Sequence, residues 1–159
     1  KLVFKIIHST TIVLPAWDAA CTEQGFKLKR MPQDVLTCWN SAFNMVDFGV
    51  LYDQVIESLT DKRRLGLAEF TIDEHEWDLL KQLREVLKDA MLFFSRSTPN
   101  LAMVILAMDY IDEVFTTGML QKDTLDPAIR ATVGLAKKTL NKYYECTDAS
   151  KLYRIAIGE

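Results

Sequence analysis

Residues 73–95 read DEHEWDLLKQLREVLKDAMLFFS, and this stretch carries the longest predicted helix of the chain. Asp73 and Glu76 have the spacing of a capping box, in which each side chain accepts a hydrogen bond from the main-chain N–H of the other residue. The apolar residues that follow recur every three or four positions, which is the period of one helix face. They are Trp77, Leu80, Leu83, Leu87, Ala90 and Phe94. The pattern predicts a long amphipathic helix over about 73–96.

The same period continues on both sides of this stretch. It predicts amphipathic helices over about 40–59, 98–117, 127–145 and 148–157. Thr98-Pro99 and Asp126-Pro127 indicate two of the starts, because threonine or aspartate can cap free amides and proline is tolerated at the first helical position. Each helix needs a partner for its apolar face. We therefore predict an all-α fold, a helical bundle of about five to seven helices, in a single domain over residues 1–159.

The amino-terminal part, residues 1–33, is basic, with five basic and two acidic side chains. Val3 to Ile7 favours a helix, whereas Ser9 to Leu14 is rich in β-branched residues and could be extended. Lys27, Lys29 and Arg30 form a small basic edge just before residue 34. This edge has two interpretations, a solvated surface or a set of phosphate contacts.

Composition excludes several classes of function. The chain has 159 residues, a formal net charge of −3 and 49% hydrophobic residues, so any contact with DNA has to be local. Cys21, Cys38 and Cys146 are odd in number and widely spaced, which argues against a disulfide scaffold or a zinc site and fits a reducing compartment. The longest apolar run, Leu101–Met108, is too short for a membrane span. Because the chain begins at Lys1, we expect an intracellular fragment or an excised domain.

A second motif lies at residues 31–43, which read MPQDVLTCWNSAF. It resembles the segment D-V-x-T-R-W-N-S-T-(Y/F)-x-M of hAT-superfamily DNA transposases, which leads into the helical domain inserted in their ribonuclease H-like core. Cys38 departs from the family, which usually has a basic residue there. Further matches follow in the family's order along nearly the whole chain. They are Glu76-Trp77, Phe93 to Leu101, Tyr143-Tyr144, Thr147-Asp148 and Tyr153 to Ala156.

The resemblance implies an insertion domain without a complete ribonuclease H-like core. Transposases of this family use three acidic residues that hold two divalent metals, and all three lie outside the matched segment. We therefore expect no catalytic residue, no enzymatic activity and no cofactor in this chain alone, with Mg²⁺ or Mn²⁺ belonging to the full-length family. The resemblance also implies location in the nucleus and partnership with the rest of a transposase.

Trp39 is the central candidate for DNA contact, because an indole ring can stack on an unpaired base. In the resembled transposases the motif's tryptophan is associated with DNA bases at the cleaved end; the alternative is a core residue beside Phe43. Asn40 or Ser41 can instead cap the next helix. Arg96 can contact phosphate or simply complement a helix carboxyl end. The candidate DNA-binding residues are Lys27, Lys29, Arg30, Thr37, Trp39, Asn40 and Arg96.

No other pattern indicates catalysis. Asp109, Asp112 and Glu113 could place two carboxylates on one helix face, but no histidine accompanies them, so a solvated acidic face is predicted. A G-x-S-x-G nucleophile motif and glycine-rich phosphate loops are absent from the sequence. Two classes of function stay open. One is a weakly DNA-contacting or scaffolding part of an hAT-like transposase; the other is a domesticated module that binds a helical protein partner, or a non-functional remnant. Self-association is left open.

Overall fold

Helices make up the regular structure of the residues that the computed structural model describes, which are 1–35, 40–95, 101–120 and 124–148. Within these ranges the chain forms seven α-helices and no β-strand. The predicted all-α class and helical-bundle architecture are confirmed. The helices are α1 (Leu2–His8), α2 (Val13–Glu23), α3 (Ser41–Leu51), α4 (Asp53–Thr60), α5 (Glu74–Ser95), α6 (Leu101–Leu120) and α7 (Pro127–Asp148), with 3₁₀ turns at Arg63–Leu65 and Ala68–Phe70.

The helices divide into two compact units, Lys1–Lys81 and Gln82–Glu159. The boundary falls inside α5 and not in a linker, and the single domain over residues 1–159 stays a prediction. In the first unit α2 packs against both α1 and α4. The buried side chains of this unit form one apolar cluster. Its members are Ile6, Val13, Trp17, Ala20, Cys21, Met31, Tyr52, Val55, Ile56, Leu59, Leu67 and Trp77.

The amino-terminal turn separates α1 from α2. The helical prediction for Val3 to Ile7 is confirmed by α1, whereas the β-branched stretch from Ser9 to Ile12 forms neither a strand nor a helix. The Ser9 hydroxyl accepts a hydrogen bond from the Val13 N–H at 3.3 Å, which satisfies an amide at the start of α2. A local hydrogen bond from a side chain therefore stabilises this turn. The β propensity of its residues does not produce a strand here.

The predicted helix over 40–59 is divided at Tyr52 into α3 and α4. Tyr52 has φ −113° and ψ 25°, outside helical values. The Tyr52 N–H still donates to the Phe48 carbonyl, and the Ile56 N–H donates to the Tyr52 carbonyl, each at 3.0 Å. The helix is thus bent at Tyr52, while its predicted apolar stripe stays on one side, with Val55 and Leu59 buried.

The capping box at the start of α5 is confirmed. The Glu76 N–H donates to Asp73 Oδ1 at 2.7 Å, and the Asp73 N–H donates to Glu76 Oε2 at 3.0 Å. Trp77, the first apolar residue of the predicted stripe, is 4% exposed. The sequence pattern therefore predicted the start of this helix and the burial of Trp77, while Leu80, Leu83 and Leu87 of the predicted stripe are half-buried.

In the second unit α6 packs against α7. The Asp126-Pro127 start is confirmed, because Asp126 Oδ1 accepts a hydrogen bond from the Ala128 N–H at 2.7 Å. The Asp126 N–H itself donates to Gln82 Oε1 at 2.7 Å, which ties the start of α7 to α5. The buried apolar residues of this unit are Met91, Ala107, Met108, Ile111, Ile129 and Val133.

The carboxyl end of α7 differs from the prediction. The helix over 127–145 was predicted to end before a separate helix over 148–157, but α7 continues to Asp148 and includes Thr147. The Thr147 hydroxyl donates back to the Tyr144 carbonyl at 2.7 Å, a bond that threonine makes in helix interiors. The rest of that predicted helix, from residue 149 onward, and the Thr98-Pro99 start lie outside the described residues.

Candidate functional site

The predicted basic edge lies on an irregular segment between α2 and α3, residues 26–35, which we call the strap. Phe26 begins the strap, and its N–H donates to the Cys21 carbonyl at 2.8 Å. The Phe26 ring contacts Tyr52 with 5.1 Å between centroids, and the Met31 side chain is 5% exposed. Apolar side chains thus attach the strap to the core at its beginning and near its middle.

Two aromatic side chains of the core bind the strap through its main chain. The Tyr52 hydroxyl donates to the Lys27 carbonyl at 2.9 Å, and Trp17 Nε1 donates to the Lys29 carbonyl at 3.0 Å. Both acceptors are backbone oxygens, so the lysine side chains are not used for anchoring. Lys27 and Lys29 are both exposed, and Leu28 between them is 62% exposed. The strap therefore presents two ammonium groups to solvent from an anchored backbone.

Arg30 differs from the two lysines. Its guanidinium forms a two-bond ion pair with Asp18 of α2, in which one nitrogen contacts Oδ1 and the other lies 3.3 Å from Oδ2. The hydrogen bond from Asp18 raises the pKa of Arg30, which is charged in any case. Because this charge is matched locally, a phosphate would have to displace Asp18. Lys27 and Lys29 are the cations of the predicted edge that have no carboxylate at ion-pair distance among the described residues.

Hydrogen bonds of Ser41 join the two sides of the Trp39 motif. The Ser41 hydroxyl, in a residue that is 5% exposed, accepts from the Val35 N–H at 2.9 Å and lies 2.7 Å from Asp34 Oδ1. Asn40 takes the position before α3, but its side chain makes no capping hydrogen bond. The predicted capping bond is therefore not made by Asn40, and Ser41 is the first residue of α3, so it does not occupy the cap position.

The remaining predicted DNA contacts cannot be placed. Thr37, Trp39 and Arg96 lie outside the described residues, as does Cys38. Of the seven candidate residues, four lie within the described ranges: Lys27, Lys29 and Arg30 on the strap, and Asn40 just before α3.

The aromatic cluster under the strap was missed from the sequence. Trp17 is completely buried, and its ring centroid lies 5.9 Å from that of Tyr52. Tyr52 in turn stacks on Phe48 with 4.2 Å between centroids and 4° between ring planes. The sequence carries one indication of this cluster, which is the helical spacing of Val13, Trp17 and Ala20. This spacing marks one buried face of α2. That spacing predicts burial but does not reveal the hydrogen bond to the strap.

Cys21 lies in the same core and is completely buried. Burial raises the pKa of the Cys21 thiol, and the nearby Asp18 carboxylate raises it further. Because the thiolate is the reactive form of cysteine, this environment does not activate Cys21 as a nucleophile. Among the described residues, no group of three His, Cys, Asp or Glu side chains is placed to hold a metal ion.

The acidic residues of α6 are partly used in packing and are not simply a solvated face. Asp112 forms an ion pair with Lys137 of α7, with 3.0 Å from Nζ to either carboxylate oxygen. Asp109 accepts a hydrogen bond from the Tyr144 hydroxyl. The partner of Asp109 lies later in α7 than the partner of Asp112, so the two helices run antiparallel. Asp109 and Glu113 are exposed, in line with the predicted solvated face, whereas half-buried Asp112 pairs with Lys137.

The contacts between α6 and α7 also determine which of two adjacent tyrosines faces α6. Tyr144 is half-buried, whereas Tyr143 is 61% exposed. The Tyr143 ring therefore belongs to the surface of α7. The α7 surface also carries exposed Lys138 and Lys142.

No protein-family model, curated protein or solved structure matches this chain. The resemblance to hAT transposases thus rests on the sequence motifs alone. In the described part of the chain, no helix is long and apolar enough to cross a membrane.

Proposed function

We propose that this chain is a DNA-contacting helical segment of an hAT-like transposase that is catalytically incomplete by itself. The observation that carries the proposal is the strap: its backbone is bound to Trp17 and Tyr52, and its lysine side chains are exposed. The strap leads directly into the motif that resembles the transposase segment. The proposal therefore combines an anchored cationic surface with a motif associated with DNA ends.

Such a surface binds DNA weakly. Lys27 and Lys29 supply two phosphate contacts, because the charge of Arg30 is matched by Asp18. Two contacts give a salt dependence, d log K against d log[salt], of about −2, and non-specific binding of this kind has a Kd of roughly 10⁻⁴ to 10⁻⁶ M. A stacking contribution from Trp39, as the resemblance implies, favours unpaired bases over blunt duplex ends.

The test is a titration of labelled hairpin-ended, single-stranded and blunt duplex DNA with the full chain at several salt concentrations. We expect the double variant Lys27→Gln/Lys29→Gln to make the slope of log K against log[salt] shallower by about 2. We also expect it to lose most of its affinity for DNA. The matched control is Lys138→Gln/Lys142→Gln, which removes two exposed lysines from α7 and leaves the strap intact. Trp39→Ala is expected to remove the preference for unpaired ends while the lysine contacts remain.

Two results would refute the proposal. One is a wild-type chain that binds no DNA at low salt. The other is an equal loss of affinity in the strap variant and the α7 control, because binding would then reflect overall charge. In the same samples we expect no DNA cleavage with Mg²⁺ or Mn²⁺, since the resemblance places the catalytic carboxylates outside this chain.

A further inference from the structure

A groove of about 410 Å³ lies on the first unit, on a surface formed by α2 and the 3₁₀ turn Arg63–Leu65. On the α2 side it is lined by Ile12, Pro15, Ala16 and Ala19, and on the other side by Arg64 and Leu65. Its volume falls within the range of about 300–1,000 Å³ that is usual for binding sites. The proposed DNA surface uses none of these residues.

The lining is apolar and accessible. The Ile12 side chain is 61% exposed, so its apolar surface is accessible to a ligand. Ala16 and Ala19 are small, so they leave room above α2 that a larger side chain would fill. An inserted apolar side chain would gain roughly 25 cal/mol for each Å² of apolar surface removed from water. The groove therefore fits a ligand that contributes apolar side chains.

The charge at the groove is cationic and unmatched. In this region Lys62 lies 3.7 Å from Glu23, and Arg30 pairs with Asp18. Within the described ranges Arg63 and Arg64 have no carboxylate at ion-pair distance, and both side chains are exposed. A planar guanidinium binds a carboxylate through two parallel hydrogen bonds. The ligand that complements this groove thus carries an acidic group beside its apolar side chains.

We propose that the groove binds an acidic amphipathic helix of a partner protein, which inserts apolar side chains over Ala16 and Ala19 and places a carboxylate on Arg64. Helices bind grooves in this way through apolar residues spaced three, four and seven positions apart. DNA is the less suitable ligand, because nucleic-acid interfaces are polar and strongly cationic, whereas this groove offers one guanidinium within an apolar lining.

The test uses a panel of labelled synthetic helices of about 18 residues, long enough for helix formation in water. Each carries leucines at three-, four- and seven-residue spacing and glutamates at the edge of that face. A second panel replaces the glutamates with lysines. Fluorescence anisotropy with the full chain measures the Kd of each peptide, and a blunt DNA duplex serves as competitor.

We expect the acidic panel to contain a saturable binder. We expect Arg64→Glu to weaken its binding at least about tenfold, since the change removes a charge-assisted hydrogen-bonded pair and places two like charges together. Arg64→Glu should bind the lysine version of that peptide more tightly than the wild type does. Ala19→Trp, a change at an exposed position that fills the groove, should also weaken binding about tenfold. Lys142→Glu, at an exposed position on α7, is the control for charge reversal outside the groove, and we expect its Kd for the peptide to stay within about twofold of wild type.

The proposal is overturned if no acidic peptide binds saturably, or if Arg64→Glu and Ala19→Trp bind as well as wild type. It is also overturned if the DNA duplex displaces the peptide from the wild-type chain and binds Arg64→Glu more weakly than the wild type. The groove would then be a DNA site. Thermal melts of each variant establish that it is folded, and Arg64→Ala replaces Arg64→Glu if the reversal unfolds the chain. Failure of this proposal leaves the strap proposal standing, since the two use different residues.

Discussion

Removing the Tyr52 hydroxyl tests how the strap is held. The change Tyr52→Phe deletes the donor to the Lys27 carbonyl, a bond of 2.9 Å. The Tyr52 ring is 7% exposed and stacks on Phe48. Phenylalanine has the same ring, so these packing contacts are retained. The substitution therefore isolates one hydrogen bond between the core and the strap.

The expected cost follows from the surroundings of that bond. A neutral intramolecular hydrogen bond contributes about 0.5–1.5 kcal/mol to the free energy of unfolding. The additional penalty of about 1–3 kcal/mol for a buried, unpaired acceptor does not apply, because Lys27 is exposed and its carbonyl can bind water instead. We expect Tyr52→Phe to lower the free energy of unfolding by about 1 kcal/mol. In a chain of this length that corresponds to about 2–4 °C in Tm.

Urea unfolding of the full chain, followed by circular dichroism, measures the change in stability. Hydrogen exchange of the peptide covering residues 26–35 measures the strap directly, and we expect faster exchange there. Tyr143→Phe is the matched control, because it removes a hydroxyl from a ring that is 61% exposed. Unchanged stability together with unchanged exchange in Tyr52→Phe would refute the role of the hydroxyl. A loss above about 3 kcal/mol would show that the ring packing had also changed.

Two further predictions concern single side chains. Asp73→Ala removes one half of the capping box, so we expect it to lower the free energy of unfolding by about 1 kcal/mol in urea titrations, and Asp73→Asn to restore most of it. The second concerns pH. Because burial raises the pKa of the Cys21 thiol in the folded chain, its contribution to stability is present below the ordinary thiol pKa and is lost as pH rises above about 9. Melts across this range are expected to show a shallower alkaline decline for Cys21→Ala than for wild type, and no such difference for Cys146→Ala, whose residue is exposed.

The helix starts were predictable because their chemistry is local. The carboxylate of Asp73 bonds an amide three residues away, and the carboxylate of Asp126 bonds an amide two residues away, so both signals lie within a few letters of sequence. The buried face of α5 was equally predictable, since an apolar period needs no knowledge of the partner. The sequence therefore determined where these helices start and which side of α5 is buried.

The strap could not be predicted in the same way. The Trp17 indole bonds the carbonyl of Lys29, twelve residues later, and a main-chain acceptor leaves no trace in residue identity. Arg30 and Asp18, which form an ion pair, are also twelve residues apart in the sequence. Asp18 lies on α2, whereas Arg30 lies on the irregular strap. For the same reason the choice between Tyr143 and Tyr144 depended on the register of α7 against Asp109 in α6. In each case the deciding contact is set by tertiary packing.

The way in which the strap is anchored separates the requirements of folding from those of binding. Folding uses the carbonyl oxygens of Lys27 and Lys29, which most residue types would supply equally well. The lysine side chains take no part in that anchoring, so their charge has no structural purpose at these two positions. Replacing them is expected to leave stability within about 0.5 kcal/mol of wild type, as for most surface substitutions. A loss of DNA affinity in the lysine variants would therefore report the charges themselves, whereas a loss in Tyr52→Phe would report the position of the strap that carries them.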